Sequence, residues 1–471
     1  MVESHSPKPS IEALLQQMLL SKPATLISVK LTLTLIRNNL PVSVKALLIP
    51  SVMRAFRFRK WLGPGLVTGA ADDDPSGIAT YSQAGAQYGF GLLWTMVLTY
   101  PLMAAIQMIS AKIGLVTGRG LAANMQRFYP RYITLPLVLL LLIANTINIA
   151  ADLAAMSDAI KLVLGGPRQF YSVLIGVACL LLQIFIPYNR YVYFLKWLTL
   201  SLFAYVGTVF ASHVEWSSVA RETFLPHISF EPGYVLLVVG VLGTTISPYL
   251  FFWQASEEVE EIRVHEKRFA LLVAPQQARR QLKRMKWDTI IGMGFSNVIS
   301  FFIILTTAAT LFPAGLHNIQ TSAEAAAALR PIAGEFAFAL FALGIIGTGL
   351  LAIPVLAGSA AYAIAELIHK PASLSFQPAA AKHFYAIIAI STLVGIGLDL
   401  SGIDAIKALL WSAVINGVVA VPLMFALMHM SSKEVVMGSF SVEGKTRYLG
   451  WMATLLMMVT SVVLVVVSVI F

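Results

Sequence analysis

The sequence predicts an all-α integral membrane protein, built as an inverted repeat of five plus five spans with one further helix, and with its first and sixth spans broken in mid-membrane. Three observations predict this. Of the 471 residues, 58% are hydrophobic and only 12% charged, against about a quarter charged in soluble domains. About eleven apolar windows of roughly 20 residues, enough to cross a bilayer, recur along a chain of mean hydropathy +0.78. Two of these windows each begin on a Pro-Gly pair and carry a second proline in mid-span.

In chain order, residues 1–55 read as an extension ahead of the membrane body, 56–471. The stretch TLISVKLTLTLIRNNLPVSVKALLIP is apolar but broken by Lys30, Arg37 and Lys45. It fits either an interfacial amphipathic segment or an unstructured extension. The first fifty residues lack the signal-peptide pattern of basic start, apolar core and small-residue cleavage site. Spans follow at about 61–88, 91–116, 132–163, 170–187 and 192–212, forming a first repeat of about 61–212. The second repeat, about 233–428, holds spans at about 233–260, 288–312, 336–367, 383–398 and 405–428. An extra span covers about 449–471.

The net charge is +10. The basic residues sit between apolar runs, so they mark topology rather than a nucleic-acid partner. Arg54, Arg57, Arg59 and Lys60 precede the first span, and Lys112, Arg119, Arg127 and Arg131 follow the second. Arg263, Lys267, Arg268, Arg279, Arg280, Lys283, Arg284 and Lys286 lie between spans six and seven, and Lys433, Lys445 and Arg447 between ten and eleven. An eleven-span chain puts all of these loops on one side. The positive-inside rule makes that side the cytoplasm, with the N-terminus inside and the C-terminus outside a plasma membrane. The lone cysteine, Cys179, lies in an apolar run and founds no disulfide framework.

The two broken spans match. The first opens on Pro64–Gly65 and breaks at Pro75; the sixth opens on Pro232–Gly233 and breaks at Pro248. The sixth span comes five after the first, an odd number, so the two enter from opposite faces. A mid-span proline removes a backbone donor and frees carbonyls, which survive at membrane depth only against protein or a cavity. Matched breaks in an inverted repeat point to a transport site at the midplane. Pro354, alone in span eight, reads as a kink.

At the first break stand Asp72, Asp73 and Asp74. An ionisable residue there costs about 3 kcal/mol on insertion scales and marks a functional site. Facing it, GTTISPYLFF (243–252) offers the hydroxyls of Thr244, Thr245 and Ser247 and freed carbonyls. Neither break carries His, Cys or Met, so the donor set is all oxygen, suited to a hard cation such as Mg²⁺, Ca²⁺, Mn²⁺ or Na⁺. Helical spacing from Ser247 places Gln254, Glu257 and Glu258 on one face leading toward the cytoplasm, with Glu260 and Glu261 either part of its acidic end or a solvated helix end that balances the basic loop. Asn297 and Asn416 either face the pathway or bond helices together, and Asn145 and Asn148 are of the same kind.

The stretches GPGLVTGAADDDPSGIATYSQAGAQYGFGLLW and AAIQMISAKIGLVTGRGLA, with IAADLAAMSDAI (149–160) and GTTISPYLFFWQASEEVEE (243–261), resemble the NRAMP family of divalent-metal transporters over roughly 55–471. The resemblance implies the LeuT-type inverted-repeat fold and alternating access. The family's Asp-Pro-Gly-Asn falls on Asp74, Pro75, Ser76 and Gly77, which keeps the aspartate ligand and replaces the asparagine. Its Met-Pro-His falls on Ser247, Pro248 and Tyr249, its carbonyl ligand on Thr244 and its second histidine on Gln254. Its proton-linked Asp-Leu-Ala-Glu falls on Asp152, Leu153, Ala154 and Ala155.

The lost methionine removes the preference for transition metals. Glycine and serine at the two breaks empty volume around Asp74, as a partly hydrated Mg²⁺ would want. The pattern resembles the NRAMP-related magnesium transporters. It implies Mg²⁺ as transported ion with Mn²⁺ second, ligands from Asp74, Asp73, Thr244, Ser247 and the Gly77 position, and a pathway along Asp72, Asp152, Gln254, Glu257, Glu258, Asn297 and Asn416. It also implies no proton coupling, no cofactor and no obligate protein partner. The alternatives are a proton-coupled Mn²⁺ or Fe²⁺ transporter, a Na⁺-coupled organic-solute symporter and, as an enzyme, a prenyltransferase. The last wants a second Asp-rich motif, and GLDLSGIDAIK supplies only Asp399 and Asp404.

Overall fold

The structure, a computed structural model, describes residues 63–186, 199–265, 267–402 and 404–470. The extension 1–55, the basic run Arg54 to Lys60 and residues 192–198 of the fifth span lie outside the described residues. Among those described, all regular structure is helical, and nine helices are long and apolar enough to cross a membrane.

The first repeat comprises α1 (Pro64–Asp72), α2 (Pro75–Tyr88), α3 (Trp94–Thr117), α4 (Leu121–Phe128), α5 (Arg131–Leu164), α6 (Arg168–Phe185) and α7 (Phe203–Ala211). The second comprises α8 (Pro232–Thr245), α9 (Pro248–Val264), α10 (Ala278–Thr310), α11 (Ala337–Leu367), α12 (Lys382–Leu400) and α13 (Ala405–Ser431); α14 (Gly444–Ile470) follows. α1 with α2 is the broken first span, and α8 with α9 the broken sixth. α4 is a short helix in the loop after the second span.

Pro101, Pro136, Pro354 and Pro422 all lie inside continuous helices, so proline alone does not break a span here. At the two breaks the local geometry differs from a kink and matches between repeats. Asp73 ends α1 at φ −82°, ψ 52°, and Asp74 opens α2 at φ −70°, ψ 170°. Ile246 ends α8 at φ −113°, ψ 57°, and Ser247 opens α9 at φ −79°, ψ 133°. In both, proline takes the first position of the new helix, where its missing N–H costs nothing.

The packing mirrors the repeat. α1 and α2 lie against α10, the second span of the other half, while α9 lies against α3, the second span of its own mirror; the two third spans, α5 and α11, pack on each other. α1 approaches α10 backbone to backbone: a Cβ on Gly69 would collide with the Gly292 carbonyl, and one on Gly65 would lie 2.7 Å from the Thr289 backbone. Such small-residue seams are how helices associate tightly where no hydrophobic driving force exists.

One boundary differs from expectation. α10 begins at Ala278, well before the predicted edge near 288. The run ARRQLKRMK is made of strong helix formers, so the basic segment continues the span instead of forming a loop.

Candidate functional site

The breaks bring α1, α2, α5, α9 and α10 together around the three aspartates. Asp72, Asp73 and Asp74 are 1%, 2% and 2% exposed. Their side chains diverge. Asp74 caps α2: its Oδ1 accepts from the Gly77 N–H at 2.7 Å. Its Oδ2 accepts from Asn148 Nδ2 of α5 at 3.1 Å and lies 3.2 Å from the Tyr249 hydroxyl of α9. That hydroxyl also meets the Ala71 carbonyl freed at the end of α1, at 3.1 Å.

Asp72 and Asp73 turn to α10 instead. Ser296 Oγ lies 2.6 Å from Asp72 Oδ2 and 2.9 Å from Asp73 Oδ1, and Ser300 Oγ lies 3.3 Å from Asp73 Oδ1. Asp72 Oδ1 has no partner. Among the described residues no group of three His, Cys, Asp or Glu side chains converges as a metal cluster. An ion at this break would therefore take its oxygens from a mixed set of carboxylate, hydroxyl, amide and carbonyl groups.

The opposite break satisfies its own backbone. Ser247 Oγ reaches the Gly243 carbonyl at 2.8 Å and the Thr244 carbonyl at 2.7 Å. Thr245 Oγ1 donates to the Val241 carbonyl and lies 3.1 Å from the Tyr81 hydroxyl, which ties α8 to α2. Ser76 ties α2 to α13 through the Leu409 carbonyl at 2.9 Å.

The expectation of empty volume at Gly77 is corrected. A Cβ there would stand 3.1 Å from Thr244 Oγ1 and 3.2 Å from the Tyr81 ring. Those two side chains stand in the space that a larger residue would need, so the glycine does not by itself open a cavity.

The other predicted residues separate into groups. Asp152 is fully buried on α5, one turn beyond Asn148 and on the same face, with neither carboxylate oxygen partnered. Gln254 is likewise fully buried with an unpartnered amide. Glu258 is buried and paired with Arg284 at 2.6 Å, while Glu257 is half-buried. Glu260 is not a solvated end: it is 7% exposed and bonded by Ser373 at 2.8 Å and Tyr362 at 3.2 Å. Glu261 pairs with Arg268. Asn416 is buried and Asn297 half-buried, each with an unpartnered Oδ1.

Sequence reasoning named Tyr249 only as the residue at the family's histidine position, and it did not single out Ser296, Ser300, Gln107 or Asp288. Asp288 of α10 accepts from the Gly65 N–H at 2.8 Å and so caps α1 from another helix. Gln107 of α3 is 1% exposed with both amide atoms unpartnered. Asn148, which the sequence reading grouped with Asn145, lies four residues from Asp152 and so on the same helix face, a spacing that could have set it apart.

Comparison with known proteins agrees with this architecture. A family model described as natural resistance-associated macrophage protein-like (Nramp) matches residues 65–467. A protein of Acidiphilium cryptum named divalent metal cation transporter MntH is 26% identical over 393 residues, covering 82% of this chain and 85% of that protein. One of the same name from Yersinia pestis is 28% identical over 296 residues, covering 61% of this chain and 68% of its own. The Eremococcus coleocola manganese transporter shares the fold with a TM-score of 0.66 at 18% identity, covering 86% of this chain and 85% of that one. MhsT, solved with L-phenylalanine, shares it at 0.57 and 12%, covering 87% and 98%. With a match that spans nearly the whole chain and a LeuT-type inverted repeat beneath it, the chain belongs to the Nramp family of membrane transporters.

Proposed function

We propose that the chain carries a divalent metal cation across the membrane by alternating access, with Mg²⁺ preferred, Mn²⁺ as second substrate and no coupled proton. The observation that carries this reading is the surroundings of Asp74. Its partners are a backbone amide, the Asn148 amide and the Tyr249 hydroxyl, and Ser247 stands where the family pattern has methionine. Oxygen donors without a thioether or imidazole favour a hard ion over Fe²⁺ or Zn²⁺. The preference rests on donor chemistry and not on cavity volume.

In this reading Asp74 is the anionic ligand, and the Thr244 carbonyl and Ser247 hydroxyl face it from the other break. Asp73 and the Gly77 backbone lie beside them. Gln254, Glu257 and Glu258 line the way to the cytoplasm, where Glu258 and Arg284 close it. Asp152, Asn297 and Asn416 are the remaining polar groups of the pathway. The basic loops favour a plasma-membrane protein with its N-terminus inside and its C-terminus outside. Residues 56–471 form the transporter body.

A second reading, a proton-coupled Mn²⁺ or Fe²⁺ transporter, is favoured by one observation. Asp152 is buried without any partner one turn from Asn148, as a proton carrier beside the metal site would be. Proteoliposome uptake separates the two. The first reading expects Mg²⁺ entry with no change of internal pH, in the wild type and in Asp152→Asn alike. Metal-driven acidification lost in Asp152→Asn, with Mn²⁺ carried and Mg²⁺ refused, establishes the second. Uptake of either ion that survives Asp74→Ala overturns the site in both.

A further inference from the structure

α10 has two unlike faces. Gln281, Met285, Thr289, Gly292 and Ser296 are buried against the rest of the bundle. That face is also fastened: Arg284 pairs with Glu258 at 2.6 Å, and Asp288 accepts from the Gly65 N–H at 2.8 Å. On the other side Trp287, Ile291 and Val298 are 54%, 48% and 52% exposed. They are spaced four and seven residues apart and so form one stripe. An apolar stripe left open on a membrane span is a surface for acyl chains.

The stripe does not stop at Trp287. Lys283 comes four residues earlier and Arg280 three before that, both exposed, with Arg279 and Lys286 exposed on its flank. All four stand on the helix itself, which begins at Ala278. The rise of a helix turns these positions into depths. Val298 lies between Ser296 and Ser300, which meet the break of the first span. From there to Trp287 is roughly 16 Å, about half the hydrocarbon thickness. Lys283 stands roughly 6 Å farther out and Arg280 roughly 10 Å, the level of the lipid headgroups. Trp287 falls at the boundary, where its amphipathic ring is favoured.

Among the described residues no acid pairs with these four cations. The acids closest in sequence are engaged elsewhere: Glu258 with Arg284, Glu261 with Arg268 and Asp288 with the Gly65 amide. The two longest segments outside the described residues are themselves net positive. Residues 1–62 hold nine Lys and Arg against Glu3 and Glu12, and 187–198 hold Arg190 and Lys196 with no acid. Like charges three and four residues apart on a helix destabilise it, as Arg279, Arg280, Lys283 and Lys286 do here. Charge complementarity at this end therefore calls for an anion from outside the chain.

We propose that an anionic phospholipid docks on the outer face of α10, its phosphate held by Arg280 and Lys283 with Arg279 and Lys286 beside them, and its acyl chains laid along Trp287, Ile291 and Val298. A soluble anion meets the cations but leaves the apolar stripe unused. A zwitterionic lipid covers the stripe but neutralises none of the charge. An anionic lipid matches both parts of one continuous surface.

The test is lipid selectivity. The purified full chain in neutral detergent is exposed to equal amounts of dioleoyl phosphatidylglycerol and dioleoyl phosphatidylcholine, and the lipid retained per chain is counted by native mass spectrometry. The wild type is expected to prefer the anionic lipid by about tenfold or more. Arg279→Gln/Arg280→Gln/Lys283→Gln/Lys286→Gln brings the two lipids close to parity. Where that variant does not fold, Arg280→Gln/Lys283→Gln removes only the cations on the stripe and loses most of the preference. Arg119→Gln/Lys267→Gln/Lys433→Gln removes exposed cations of the loops and keeps it. Equal retention of the two lipids by the wild type overturns the site, as does a preference that survives Arg280→Gln/Lys283→Gln or falls equally in the loop variant. Glycerol phosphate, which carries the phosphate without acyl chains, leaves the lipid in place; displacement by it assigns the face to a soluble anion instead. Each outcome is independent of which ion the chain carries and of the role of Asp74.

Discussion

Asn148 and Asp74 are joined by a 3.1 Å hydrogen bond from the Asn148 amide to Asp74 Oδ2. This contact connects the break in the first span to the middle of the third. It also orients the carboxylate, since Oδ1 is held by the Gly77 amide. Partners that orient a metal ligand contribute substantially to affinity.

Asn148→Ala is expected to weaken metal binding by about 10- to 100-fold while the protein still folds. Equilibrium binding of Mn²⁺ to the purified variant checks this. Affinity equal to the wild type would show that the contact is structural only.

Ser247→Met is expected to move selectivity toward softer ions. The thioether adds a donor that favours Mn²⁺ and Cd²⁺ over Mg²⁺, and the Gly243 and Thr244 carbonyls lose their hydroxyl partner. Competition assays, with Cd²⁺ displacing Mg²⁺ uptake, measure the shift. An unchanged ratio of the two ions would argue that position 247 does not face the ion.

Gly77→Asn is expected to lower thermal stability, because its Cβ meets Thr244 Oγ1 at 3.1 Å and the Tyr81 ring at 3.2 Å. Overpacking of this kind costs about 1–3 kcal/mol. Adding Thr244→Ala should recover part of the loss, and a double-mutant cycle of melting temperatures shows whether it does. Strict additivity would mean that the two side chains do not compete for the same space.

Arg284→Ala should destabilise the chain more than Glu258→Gln. Removing the arginine strands a fully buried carboxylate, whereas Gln leaves a neutral group beside an arginine that is 27% exposed. Breaking a fully buried pair costs about 3–5 kcal/mol; the exposure of Arg284 places this one below that range. Thermal unfolding of both variants and of the double variant gives the comparison, and equal losses would contradict it.

Gly69→Val is expected to prevent assembly of the broken first span against α10, since even a Cβ there runs into the Gly292 carbonyl. Size-exclusion profiles of the solubilised protein should show aggregation or loss of expression. A monodisperse variant with wild-type stability would mean that α1 can stand away from α10.

Much of the fold was legible because its signals are local. Pro75 and Pro248 follow residues able to cap a helix, and the aspartates mark one break as chemically distinct. What was not legible depends on contacts between distant residues. Asn145 and Asn148 look alike in sequence, yet Asn145 bonds the Leu356 carbonyl and Ser359 of α11, while Asn148 holds Asp74. Ser296 and Ser300 are ordinary residues of a span until α1 is laid beside them. Helices buried nearly all round, such as α8 and α9, carry little periodicity from which a facing side could be read. The volume expected beside Gly77 failed for the same reason, because Thr244 and Tyr81 come from elsewhere in the chain.

The carboxylate that caps α2 has a further consequence. Asp74 is at once the fastening of a helix end and the anion an ion would seek, and its lone pairs serve both tasks. If Asp74 is the metal ligand of the proposed function, an arriving cation would compete with the Gly77 amide for Oδ1 and slacken the first turn of α2, and a departing one would let that turn tighten. Loading and unloading would then be felt as stiffness of the helix break itself, without any separate part to transmit the message.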